Sequence, residues 1–202
     1  METRAKAERL TFDPVTHLYR LDGDVIPSVT QILKGVGLSD YSHIPADTLQ
    51  RAAERGTVVH QIIEFYEKGV LDESSIDPAL RGYFESYLRA KDAGLLFDDN
   101  RPEEIEKQVF SEKYKYAGTL DQSYCDWIND IKTGQPQPEH GLQLTAYWMC
   151  EHDITAKPWL LTCTYLHDDG STADVVKYDY EPLAWLSMAS CYRWREKHGK
   201  LK

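Results

Sequence analysis

Two acids and a lysine have a spacing that could do chemistry. Asp121 closes the run Gly118-Thr119-Leu120-Asp121, and Asp130-Ile131-Lys132-Thr133-Gly134 begins after an interval of eight residues. In a strand alternate side chains share a face, so Asp130 and Lys132 point one way and Ile131 enters the opposite layer. A tight hairpin through residues 124–127 would set Asp121 and Asp130 side by side on neighbouring strands. Adjacent carboxylates repel each other, and a divalent cation relieves that repulsion. Hard oxygen ligands favour Mg²⁺ or Mn²⁺ over a softer metal. A lysine beside such a site can hold an attacking water, help deprotonate it, or stabilise a pentavalent phosphate, and metal ions promote the same phosphodiester chemistry. Taken alone, these three residues are weak evidence and better suit an exposed hairpin whose ion pair contributes under ~1 kcal/mol.

Three further features add to them. Gln143 and Tyr147 stand at i,i+4, so on a helix both project from one face. His60 ends the run Arg55-Gly56-Thr57-Val58-Val59-His60 within an otherwise amphipathic helical stretch. The Gly118-Thr119-Leu120 lead-in lets the backbone approach closely at Asp121. Each also has a plainer reading: His60 as a satisfied polar residue, Gln143 as a solvated edge, Tyr147 as a core aromatic.

The elements that must position these residues follow from periodicity and punctuation. Residues 10–25 read as strand, turn, strand, with Asp22-Gly23 as the hairpin signal. Ser28 caps a short helix with Gln31 three residues later, and Gly35 or Gly37 ends it. Residues 45–68 form a long helical stretch with a break expected near Gly56; Val59, Ile62, Ile63 and Tyr66 face a core. Asp77-Pro78 opens another helix that Gly94 closes. The period then changes. Residues 105–110, 116–125 and 127–133 read as three strands, 141–150 as a helix with Leu142, Ala146 and Met149 on one side, and 159–166 and 175–178 as strands. Residues 181–198 form a last helix, with Leu183, Leu186, Ala189 and Cys191 as burial candidates. The order is that of an α/β sandwich with a helical annex in front.

Composition bounds the function. The 202 residues carry 23 Lys+Arg against 33 Asp+Glu, a net charge of −10, which argues against broad nonspecific adhesion to nucleic acid but not against a local basic groove. At 42% hydrophobic and 28% charged, the chain has the make-up of a folded domain, and one domain spanning residues 1–202 is expected. No apolar run approaches the ~20 residues of a membrane span. METRAKAERL lacks the apolar core of a secretion signal, so a soluble, cytoplasmic protein is expected. Cys125, Cys150, Cys163 and Cys191 are widely and unequally spaced with no CxxC pair, and read as buried free thiols.

Taken in order, His60, Gly118-Thr-Leu-Asp121, Asp130-Ile-Lys132-Thr133 and Gln143-x-x-x-Tyr147 resemble the PD-(D/E)XK nucleases. The resemblance is greatest to the RecB-type exonuclease branch, which includes the mitochondrial genome maintenance exonuclease and phage relatives; Pro27-Ser28-Val29-Thr30-Gln31-Ile32-Leu33 is similar to an element of that subgroup. This resemblance implies a restriction-endonuclease-like αβββαβ core, a mixed sheet flanked by helices, carried by residues 96–202. Residues 1–95 would supply the hairpin and the annex that bears His60 and covers the site. It implies a metal-dependent DNA exonuclease acting on free ends in replication, repair or recombination, with a flap endonuclease or an inactive DNA-binding scaffold as alternatives.

By the same resemblance, His60, Asp121, Asp130 and the Ile131 carbonyl would bind one or two Mg²⁺ or Mn²⁺ ions. Asp121, Asp130 and Lys132 would be catalytic, with Lys132 positioning the attacking water. Gln143, Tyr147, Thr133, Ser28, Thr30 and Arg55 would contact DNA. Glu106 falls where relatives often carry an acid, and as an exposed strand charge it fits equally. Some relatives hold an iron–sulfur cluster through one upstream and three closely spaced downstream cysteines. Only Cys191 lies near the C-terminus here, so no cluster is expected. The DNA path would use cations such as Arg51, Arg55, Lys113, Lys115, Arg193, Arg195, Lys197, Lys200 and Lys202. A recombination or replication protein would suit as partner; oligomeric state and cleavage polarity stay open.

Overall fold

The computed structural model describes residues 9–96 and 102–201. Asp22 and Gly23 both take positive φ (53° and 92°), the backbone that a two-residue hairpin turn requires. They join β2 (Leu18–Leu21) to β3 (Asp24–Ile26), and β1 (Leu10–Asp13) completes a small antiparallel sheet. Ser28 then caps α1 (Val29–Val36). Its Oγ accepts the Gln31 N–H at 3.0 Å while Gln31 Oε1 accepts the Ser28 N–H at 2.9 Å, and Gly37 ends the helix at φ 91°.

Helix α2 (Ala46–Glu67) runs unbroken through Gly56, where the sequence suggested an interruption. A glycine costs a helix interior ~1 kcal/mol relative to alanine. Burying Val59, Ile62 and Ile63 contributes ~1.5–3 kcal/mol each, so packing overrides the local preference. The next helix, α3 (Arg81–Asp92), starts later than Asp77-Pro78 predicts. Asp77 Oδ1 accepts the Ala79 N–H at 2.9 Å, and this side-chain turn occupies the residues before the helix begins.

Five strands form the central sheet in the order β4 (Glu104–Ser111), β5 (Tyr116–Tyr124), β6 (Trp127–Lys132), β7 (Leu160–Tyr165) and β8 (Asp174–Lys177). All neighbours are antiparallel except β6 and β7, which are parallel and joined through helix α4 (Glu139–Glu151). The sequence α3-β4-β5-β6-α4-β7 is the αβββαβ order of a restriction-endonuclease-like core. Strand β8 and helix α5 (Pro182–Lys197) extend it.

Both sheet faces are covered. On one, Val59 and Ile63 of α2 and Tyr83, Tyr87 and Ala90 of α3 pack with Trp127, Ile131 and Leu166. On the other, α1, α4 and α5 pack with Tyr116, Leu120, Ile128 and Leu161. Helix α2 thus lies on the sheet itself. Residues 141–150 of α4 are all buried, not only one stripe, because α4 is enclosed between the sheet and α5. The buried stripe of α5 is Trp185, Ala189 and Tyr192; Leu183 and Cys191, expected inside, are exposed. Of the four cysteines, Cys150 and Cys163 are buried and Cys125 and Cys191 are exposed, so the expectation of buried thiols holds for two. No helix among the described residues is long and apolar enough to cross a membrane. Lys202 and the first eight residues lie outside the described residues.

Candidate metal centre

Strands β4 and β5 pair with Ile105 opposite Gln122 and Lys107 opposite Leu120, which sets Glu106 across from Asp121. Glu106 has φ 51°, a left-handed backbone inside a strand. For a residue other than glycine this conformation costs ~1–3 kcal/mol and collects at functional sites. The Glu106 carboxylate meets helix α2, its Oε1 lying 3.4 Å from His60 Nδ1. The same nitrogen is 3.5 Å from Asp121 Oδ1, while His60 Nε2 donates to the Ile131 carbonyl at 2.9 Å. One ligand atom each from His60, Glu106 and Asp121 lies within 4.8 Å of the other two. This group of donors can hold a metal ion.

The charges are strongly coupled. Burial opposes protonation of His60, but Asp121 and Glu106 outweigh it and hold the imidazole's pKa well above its ordinary value. Burial raises Glu106, and His60 only partly opposes the rise. Burial also raises Asp121, yet His60, Lys132 and the Ile131 N–H bring it below the ordinary carboxylate range. A proton on His60 offsets part of the charge of the two carboxylates.

The β5–β6 ladder runs from Tyr124–Trp127 to Gln122–Asn129. One step on, Asp121 Oδ2 accepts the Ile131 N–H at 2.6 Å, a side chain taking the place of a ladder carbonyl. Asp130 follows Asn129 in β6, just beyond the last paired rung, and feels the charge of Asp121. Asp130 is buried and ion-paired with Lys132, so its carboxylate stands outside the three-donor group. Burial and the Asp121 charge push its pKa up to about 6 against the pull of Lys132. Burial disfavours the Lys132 ammonium, but Asp130 and Asp121 more than compensate and hold it charged.

From Lys132 a chain of hydrogen bonds leads into α4. Nζ donates to Gln143 Oε1 at 3.1 Å, and Gln143 Nε2 donates to the Tyr147 hydroxyl at 2.9 Å. A Cβ at Gly118 would stand 2.4 Å from Tyr147 Cε1, so the glycine before Asp121 makes room for this ring. His140, one turn before Gln143, carries its Nδ1 2.6 Å from the Tyr165 hydroxyl; burial and Lys132 push its pKa down to about 4.

The remaining predicted residues are more scattered. Thr133 follows Lys132, its Oγ1 3.9 Å from where a Cβ on Gly56 would stand. Arg55 lies over the Tyr83 ring at 5.7 Å, its buried Nε without a hydrogen-bond partner among the described residues. Ser28, bridged to Ala117 of β5, uses its hydroxyl in the helix cap, and Thr30 is exposed one turn-start away. Glu106, left open by the sequence, joins His60 and Asp121. Gln122 and Asn129 went unremarked, although Asp-Gln and Asn-Asp mirror each other across the β5–β6 turn.

No protein-family model matches the chain, and no curated protein matches it in sequence. Among solved structures it is similar to a candidate exonuclease from Eubacterium rectale, with a TM-score of 0.49 and 12% identity over 88% of this chain and 83% of that one. It is also similar to LHK-Exo, solved in complex with dAMP, with a TM-score of 0.43 and 13% identity over 87% and 89%. Likeness this distant assigns no activity to the chain.

Proposed function

We propose that this chain is a divalent-metal-dependent DNA exonuclease of the PD-(D/E)XK type, RecB branch, hydrolysing phosphodiester bonds at DNA ends in replication, repair or recombination. The observation that carries the reading is the donor group of His60, Glu106 and Asp121, joined through Asp121 and Ile131 to the buried Asp130–Lys132 pair. Two carboxylates and one imidazole suit Mg²⁺ or Mn²⁺, with the Ile131 carbonyl and Asp130 beside them. When bound, the cation would act as a Lewis acid on the phosphoryl oxygens and make a water acidic enough to attack near neutral pH.

The chain's own residues do the rest. Lys132, held as a cation, donates a proton-bearing hydrogen bond to a phosphoryl oxygen and offsets the charge that builds in the transition state. Asp130 fixes that ammonium, and Gln143, itself fixed by Tyr147, orients it from the other side. Arg55, Thr133 and Thr30 are the available contacts for the DNA backbone, whereas the Ser28 hydroxyl serves the helix cap. Digestion of end-labelled linear and circular DNA, single- and double-stranded, with Mg²⁺ or Mn²⁺ tests the reading. Loss of linear substrate alone is expected. Cutting of circles would make the chain an endonuclease, and binding without cutting would make it a scaffold.

A further inference from the structure

Behind the metal centre runs a continuous chain of buried polar side chains. Gln122 directly follows Asp121, and Asn129 directly precedes Asp130; both are fully buried. Asn129 Nδ2 donates to Gln122 Oε1 at 2.9 Å, and Asn129 Oδ1 accepts from Thr162 and Thr164, each at 2.8 Å. Thr162 also accepts the Trp127 indole N–H at 2.8 Å. In the other direction Gln122 Nε2 donates to the Tyr87 hydroxyl at 2.8 Å, and Tyr87 donates to Glu67 at 2.7 Å, where Lys91 also binds.

The placement of this chain matters more than its length. Glu67 and His60 stand seven residues apart on α2, two helical turns, and so share a face. The network therefore links the helix that carries His60, through α3, to the strand that carries Asp121 and on to the strand that carries Asp130 and Ile131. It does so at the last paired rung before β5 and β6 exchange a ladder bond for the Asp121–Ile131 contact. Apolar residues would fill the same volume without the risk of an unmade hydrogen bond. Polar ones fix relative positions that apolar packing leaves free to slide.

We infer that the Glu67–Tyr87–Gln122–Asn129 chain is a positioning network that sets the separation of His60, Glu106 and Asp121, and with it the affinity of the centre for a divalent cation. The inference rests on the metal-dependent reading proposed above. Groups that orient metal ligands typically change affinity or activity by about 10–100-fold when removed.

The test uses the full chain, Mn²⁺ alone and two variants. In Gln122→Met/Asn129→Leu the amide pair becomes apolar at similar volume. In Tyr87→Phe only the hydroxyl that joins Glu67 to Gln122 is lost, and the ring keeps its packing, so this variant stays folded even where the first does not. Calorimetric Mn²⁺ titration should show affinity weakened about 10-fold or more in the folded variants. Nuclease turnover should recover at high Mn²⁺ and KM for DNA should stay unchanged. Melting curves run alongside. Variants that bind Mn²⁺ as tightly as wild type, whatever their melting temperature, overturn the inference and leave the nuclease reading intact. A wild type that binds no Mn²⁺ overturns both.

Discussion

Lys132 is held by three neighbours that pull in one sense: Asp130 and Asp121 keep it charged, and Gln143 aims it. Lys132→Met retains the aliphatic stem and loses only the ammonium. It should therefore bind Mn²⁺ and DNA but cleave ~10²–10⁴ times more slowly, as removal of a positioned charge-stabilising group typically does. Single-turnover cleavage at saturating metal measures this, and near-wild-type turnover would reduce the lysine to an ion-pair partner. Glu106→Gln should instead weaken Mn²⁺ binding in a direct titration, because it removes a charged donor while keeping its shape. The two residues differ in how far the sequence exposed them. Lys132, Gln143 and Tyr147 obey strand alternation or the i,i+4 rule, so their shared faces were readable. Glu106 sits on a strand whose left-handed backbone breaks that alternation, and no period announces it.

At the scale of elements, two glycines show when a helix tolerates a missing side chain and when it needs one missing. A Cβ on Gly56 in α2 would meet nothing nearer than Thr133 Oγ1 at 3.9 Å. Gly56→Ala should thus stabilise the fold by up to ~1 kcal/mol through helix propensity. A Cβ on Gly82 in α3 would stand 1.8 Å from the backbone oxygen of Asp168. Gly82→Ala should destabilise by ~1–3 kcal/mol or more, because a backbone cannot move aside as a flexible side chain would. Thermal melts of the two variants should shift in opposite directions; equal shifts would mean that α3 does not dock on that loop as described. Composition cannot separate these cases, since both are glycines within helical periodicity. The strands and caps were readable because their signals are local: Asp22-Gly23, the Ser28–Gln31 box and the alternation of β4 to β6. The start of α3 and the buried face of α5 were set by tertiary contacts with distant segments.

For the whole molecule, the candidate metal centre couples stability to pH. His60 has a folded pKa well above its ordinary 6.5, so its favourable contribution is complete below that value and is lost as pH rises toward the folded pKa. Asp130, raised from 3.8 to about 6, contributes in the same sense at lower pH, its stabilisation fading between those values. Asp121, whose pKa is lowered, acts oppositely, losing its contribution only as pH falls below the ordinary carboxylate range. Between pH 6 and pH 8 the metal-free protein should therefore melt at progressively lower temperature, because the folded His60 keeps between Asp121 and Glu106 a proton that the unfolded chain releases. A divalent cation competes with that proton for the same donors, so its binding should strengthen over the same interval. At 100 times its dissociation constant a ligand adds ~2.7 kcal/mol, which for a domain of this size is on the order of 5–10 °C. The rise in melting temperature on adding a fixed concentration of Mn²⁺ should consequently be larger at pH 8 than at pH 6, and chelation should reverse it. His60→Gln should flatten the pH dependence of both the metal-free melt and the Mn²⁺ shift. A Mn²⁺ shift that is equal at the two pH values in the wild type would separate the metal from His60 and place the cation elsewhere on the chain.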